Sequence, residues 1–300
     1  MICFLLLVSI FYSSHQRCCF FFCQGTSYTI NNLEVTCNVT TGSNYAKDWE
    51  VIVPVRPELV NGPFIHNTEL RVPHFVLTKT HCYGYCDDCG PRLYNITNNV
   101  LFEQGCVRAE KTNHTGSIRY ESTVPVKAVH LYRSPFDNIV ARMHLAVHRR
   151  QRQGNDVSLF TNSREGLTAW CRFLDDTYST AEEDFFSPTL LQLFRHVPCH
   201  ADWYRYTQWH NHAYIMTERL NLTVYDLFYE DYTHDYDRTV STLFQFLNVT
   251  PKQASIDFYV GKSYESFFGE AHARNAAILV HALSIPPVWL RLRHYFEDYM

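Results

Sequence analysis

Short apolar runs alternate along the chain with stretches of helical spacing, and that order predicts an α/β fold. Cys18–Cys23 (CCFFFC) reads as a strand that passes through Gln24–Tyr28 (QGTSY) into a helix ending at Cys37. Phe75–Thr78 and Val126–Tyr132 read as buried strands. The second runs directly into Arg133–Pro135 and a helical pattern over Phe136–Arg150, with proline at the helix start. Gln151–Asn155 is polar and predicts a loop. Further helices are expected over Leu167–Asp176, Pro188–Arg195 and Trp203–Arg219. Leu222–Tyr229 is a late strand followed by a helix over Asp237–Leu247. Arg274–Tyr295 is helical with a break at Pro286–Pro287. Strand–loop–helix units of this kind predict a mostly parallel sheet with helices on both faces, and ligands at the carboxyl ends of its strands.

Composition narrows the picture. With 46% apolar and 19% charged residues, the 300-residue chain can bury a sizeable core and is not broadly disordered. Its net charge of −4 argues against a nucleic-acid binder with a dominant basic face, so an anionic ligand must meet a local cluster of donors. Eleven cysteines and five sequons, at Asn38, Asn95, Asn113, Asn221 and Asn248, favour a secretory route with oxidised cysteine pairs; the Golgi lumen or membrane is the expected station on that route. Met1–Tyr12 is apolar like the core of a signal peptide, yet lacks a basic start and falls short of a bilayer span. Residues 1–17 are therefore read as a short signal or an unnatural start, and 18–300 as one domain.

Three constellations follow strand candidates. Gly25, Thr26, Ser27 and Tyr28 offer a tight turn, hydroxyls and backbone N–H groups at a helix start, which suits phosphate oxygens and equally suits a simple turn and cap. Lys79 and His81, two apart at a strand end, suit charge neutralisation and proton abstraction from a hydroxyl, and equally suit an exposed lysine beside a structural histidine. Arg133, ahead of Ser134-Pro135, can present a planar fork to a phosphate, or is a surface arginine in a loop before an ordinary proline-started helix.

Together these segments resemble the PAPS-dependent sulfotransferases. CQGTSY is similar to the family's donor loop, Lys79-Thr80-His81 to its KTH step, and RSPFDNIVA to its RNPxDxxVS. Tyr229-Glu230-Asp231-Tyr232 with LFQFL is similar to its YED…FL stretch, and Thr41-Gly42-Ser43 to the TGS of the WSC-domain-containing branch. Cys23 and Phe22 replace a common Lys and Pro, Ala141 replaces the closing Ser, and no RKG-type loop follows. The resemblance implies a P-loop-like α/β fold and PAPS (3′-phosphoadenylyl sulfate) as co-substrate, with a hydroxyl on a glycan, a tyrosine or a small molecule as acceptor. It further implies His81 as general base, Lys79 as charge neutraliser, and Gly25–Tyr28 with Arg133 as the donor site, without a metal. The departures keep open a second reading, a catalytically impaired relative that acts as a binding protein. Lys79 and Arg142 are candidates for replacing the missing positive charge.

Other residues carry competing readings. Cys82, Cys86 and Cys89, with Cys106 further on, resemble a zinc knuckle, but the sequons place disulfides ahead of zinc. Cys171 and Cys199 form another candidate pair, with Cys37 free. His144 and His148 have metal-ligand spacing on a helix; His210 and His212 read as surface histidines, and Arg291 as part of a solvated basic end.

Overall fold

The computed structural model describes residues 4–8, 26–39, 41–43, 76–80, 82, 97–106, 108–110, 117–119, 125–259 and 263–300. In chain order the strands are β1 (Phe4–Val8), β2 (Thr41–Ser43), β3 (Leu77–Thr80), β4 (Arg108–Glu110), β5 (Ser117–Arg119), β6 (Lys127–Tyr132) and β7 (Thr223–Phe228). The helices are α1 (Thr26–Cys37), α2 (Asn99–Cys106), α3 (Pro135–Arg152), α4 (Arg164–Glu182), α5 (Pro188–Phe194), α6 (His200–Arg219), α7 (Asp231–His234), α8 (Tyr236–Leu247), α9 (Glu270–Leu283) and α10 (Pro286–Leu292). Tighter 3-10 turns cover Glu265–Phe267 and Arg293–Tyr299.

The chain is a mostly helical α/β protein. One sheet has the order β2-β3-β1-β6-β7, and β4 and β5 form a separate hairpin. Parallel pairing joins β2 to β3 and β6 to β7. β1 is antiparallel to both β3 and β6, so the sheet is mixed and not the parallel one expected. A strand flanked by neighbours on both edges is best filled by a continuous apolar run, and Phe4–Val8 (FLLLV) is one. The strand expected over Cys18–Cys23 lies outside the described residues. Because β3 and β6 each oppose β1, they run the same way, and the carboxyl ends of β2, β3, β6 and β7 share one edge.

Strand periodicity divides the interior. Ala128 and Tyr132 of β6 enter one buried cluster with α2, α3, α4, α6 and α9; Val129 and Leu131 enter a second with α1, Leu227 and α8. The helix starts follow local chemistry. Ser134, Ser163 and Ser187 cap α3, α4 and α5 with their hydroxyls, and Pro135 and Pro188 occupy first-turn positions. Gly166 has to be glycine, since a Cβ there would meet the Thr161 carbonyl oxygen at 2.0 Å. The Cys171–Cys199 disulfide joins α4 to the head of α6, and Cys82–Cys106 joins the segment after β3 to α2. The second bond withdraws Cys82 and Cys106 from the zinc reading; Cys86 and Cys89 lie outside the described residues. Cys37 is free and buried, and burial pushes its thiol up to about 12. These disulfides point to an oxidising compartment. Among the described residues no helix is long and apolar enough to cross a membrane.

Candidate functional site

The shared edge of the sheet carries the Arg133 turn and the end of β3. β6 ends at Tyr132, so Arg133 leaves the sheet there and α3 starts two residues later. The Arg133 guanidinium rests over the Tyr229 ring, 4.9 Å from its centroid, and its Nη2 lies 3.8 Å from Asp137 Oδ2. Arg133 Nε is buried and has no hydrogen-bond partner among the described residues. The Asp137 carboxylate also accepts the Tyr264 N–H at 2.7 Å. Burial pushes this carboxyl above the ordinary range, against the pull of that N–H and of Arg133.

The peptide plane between Arg133 and Ser134 is held at both poles. Its carbonyl accepts the Tyr206 hydroxyl from α6 at 2.8 Å, and its N–H donates to Glu230 Oε1 at 2.8 Å. Glu230 follows β7, and its Oε2 accepts the Tyr295 hydroxyl at 2.7 Å. The Tyr229 N–H donates to the Tyr132 carbonyl at 2.8 Å, which extends the β6–β7 pairing to the point where both chains leave the sheet.

The head of α1 reaches the same edge. The Tyr28 hydroxyl lies 2.7 Å from that of Tyr236 and donates to the Ile256 carbonyl at 2.8 Å, while Thr29 Oγ1 lies 2.9 Å from the Tyr232 hydroxyl. Burial raises the Tyr28 hydroxyl far above its ordinary range, so it acts here as a neutral donor. Phe258 bridges the two stations: its ring lies 4.8 Å from that of Tyr28 and 5.4 Å from that of Tyr229, and Tyr229 carries Arg133. Tyr28 and Arg133 are thus joined through two rings, although 105 positions separate them in sequence. Thr26 and Ser27 open α1, while Gly25 lies outside the described residues.

Lys79 and Thr80 are the last residues of β3, which begins two residues later than its apolar run predicted. Lys79 is only 3% exposed and pairs in register with Ser43 and Leu6. By alternation it shares the sheet face of Leu77, the face that α1 covers. Thr80 Oγ1 accepts the Cys82 N–H at 3.1 Å. His81 itself lies outside the described residues, but its neighbours are fixed on one side by the β3 ladder and on the other by the Cys82–Cys106 bond. β3 and β6 are two strand spacings apart, about 10 Å.

Several candidates find other employment. Arg142 Nε pairs with the buried Asp202 Oδ1 at 2.8 Å, which engages its charge on α6. Ala141 follows Asp137 by one turn on α3 and offers no hydroxyl. His144 Nε2 meets Asn162 Oδ1 at 3.0 Å, and among the described residues no three His, Cys, Asp or Glu side chains could hold a metal. His210 is fully buried, contrary to its surface reading: its Nδ1 lies 2.8 Å from His130 Nε2, in a stack with Tyr132. Burial lowers both imidazoles, His130 to about 3, so the pair is neutral at ordinary pH. Arg291 is bound by Asp226 Oδ2 at 2.6 Å and lies over Tyr214; it is not a solvated end. Phe258, Tyr206, Tyr264 and Tyr295 were not singled out from sequence, since each reaches the edge from a distant element.

Comparison with known proteins returns no matching family model, no matching curated protein and no matching solved structure.

Proposed function

We propose that this chain is a PAPS-dependent sulfotransferase of P-loop-like fold, acting in the secretory pathway on a hydroxyl-bearing acceptor. One observation carries the reading: the head of α1, the end of β3 and the Arg133 turn all belong to the same carboxyl edge of the sheet, and rings join the first to the third. That edge is where ligands of open α/β sheets bind. In the reading, Arg133 takes the 3′-phosphate of the nucleotide, and Gly25–Tyr28 take the 5′-phosphosulfate at the head of α1.

The reaction assigned to these residues is a displacement at sulfur. His81 accepts the proton of the acceptor hydroxyl as its oxygen attacks. The bond from sulfur to the bridging phosphate oxygen breaks, and its electron pair leaves with PAP, the desulfated nucleotide. Lys79 offsets the charge growing on that oxygen. Positioning and electrostatics supply the acceleration, as in phosphoryl transfer. Radiolabelled sulfuryl transfer from PAPS to mixed glycans, tyrosine peptides and phenols tests the assignment. The wild type should label at least one class. His81→Ala should label none while still binding PAP, and equal labelling by both proteins defeats the role of His81.

A further inference from the structure

We infer that Glu230 and Tyr295 are positioning residues for Arg133, through which the C-terminal segment sets the affinity of the anion site at the head of α3. The inference rests on the reading of Arg133 as a phosphate ligand. Arg133 is the junction between β6 and α3, and its side chain departs in a direction set by the peptide plane that follows it. Pro135 fixes one neighbouring dihedral. The plane itself is fixed by three side chains from elements remote in sequence: Tyr206 on its carbonyl, Glu230 on its N–H, and Tyr295 on the far oxygen of Glu230. A carboxylate held at one oxygen alone can rotate; held at both, it presents Oε1 to Ser134 in one orientation.

Tyr295 is in turn fixed by its own segment. The next residue, Phe296, is fully buried against Phe136, Trp203 and Trp289. Tyr299 packs on Phe136 and donates to Glu265, close to the Tyr264 N–H that holds Asp137. The C-terminal segment therefore grips the Arg133–Asp137 turn directly at Phe136, and reaches Ser134 through Glu230 and Asp137 through Glu265 and Tyr264. Burial and the neighbouring Glu230 carboxylate raise the Tyr295 hydroxyl well above its ordinary range, so it stays a donor across the working pH range.

Tyr295→Phe deletes one hydroxyl and no packing volume, and Glu230→Ala deletes the whole link. Two readouts apply to full-length protein. Without ligand, hydrogen exchange of the backbone over residues 133–138 should quicken about tenfold in each variant, the scale of one lost hydrogen bond. With ligand, PAP affinity should fall about five- to tenfold while AMP affinity, which lacks the 3′-phosphate contact, stays constant. The double variant should lose little more than Glu230→Ala alone, because the two act in series. A general loosening of the fold would weaken PAP and AMP alike. If the wild type binds no PAP, the phosphate reading of Arg133 fails, and the exchange experiment still decides whether the link exists. Unchanged exchange at 133–138 in Tyr295→Phe overturns the link. Quickened exchange with an unchanged PAP-to-AMP ratio overturns its role at the site. Should Glu230→Ala fail to fold, Tyr295→Phe decides both.

Discussion

His200 offers a sharp test of the electrostatics inside this fold. Its ring lies between two carboxylates of α4: Nδ1 is 3.0 Å from Asp175 Oδ1 and Nε2 is 2.8 Å from Glu182 Oε1. Phe194 stacks on its face at 4.7 Å, and Asp175 also accepts the Cys199 N–H at 3.0 Å, just ahead of α6 and beside the disulfide. Burial works against a charged ring, yet the two carboxylates overcome it and hold the imidazolium up to about 9, against an ordinary 6.5. A histidine raised in this way stabilises the fold fully below pH 6.5, and its contribution is lost as pH rises through about 9. The difference corresponds to at most about 3.5 kcal/mol. Asp175, which burial itself pushes above the ordinary carboxylate range, returns part of it. His200→Ala leaves two carboxylates facing each other without their cation, at a cost of about 3–5 kcal/mol near neutral pH. Urea denaturation at pH 6, 7.5 and 9.5 should show the wild type losing stability across this range and the variant changing much less. Parallel pH profiles, or a loss below about 0.5 kcal/mol at pH 7.5, the scale of an ordinary surface substitution, would refute the charged clamp.

Two further outcomes follow from neighbouring features. Replacing Cys171 and Cys199 by serine reopens a loop of 28 residues and should cost about 3–4 kcal/mol in the same denaturation assay; a loss under 1 kcal/mol counts against that pairing. Glycopeptide mapping of protein from a eukaryotic secretory host should find a glycan at Asn221, which is exposed, and none at Asn38, which is 7% exposed. An occupied Asn38 in folded protein contradicts the packing of the α1 terminus.

How much of this was legible depended on whether the physics was local. Ser134-Pro135-Phe136-Asp137 announces a helix start, and the mainly apolar run Val126–Tyr132 announces a buried strand, and both are present as α3 and β6. β3 was placed two residues early because its last residues, Lys79 and Thr80, are polar and yet buried, so the apolar pattern ends before the strand does. α2 was missed although Asn98 caps it, its Oδ1 accepting the Leu101 N–H at 3.0 Å, because Gly105 near its end weakens the helical signal. The sequons have a second cause. Asn38, Asn221 and Asn248 all follow helix ends with φ of 56°, 51° and 56°, a left-handed conformation that asparagine tolerates better than most residues. Three of the five sequons thus begin at residues that helix termination selects, which weakens their count as evidence for secretion and leaves the disulfides as the firmer sign. At the site, Tyr28, Arg133 and Glu230 were visible as members of short motifs. Their partners Phe258, Tyr206 and Tyr295 were not, because ring contacts and single hydroxyl bonds across the fold leave no periodic trace.

The most direct test of the account is calorimetric titration of PAP, with AMP as the control, against the wild type and Arg133→Ala. The account predicts that the wild type prefers PAP to AMP. It further predicts that Arg133→Ala loses one to two orders of magnitude of PAP affinity, roughly the 1.5–3 kcal/mol of a charge-assisted hydrogen bond, while AMP binding is retained. Equal affinity of the wild type for the two nucleotides, or an Arg133→Ala variant that binds PAP as tightly as the wild type, would contradict it.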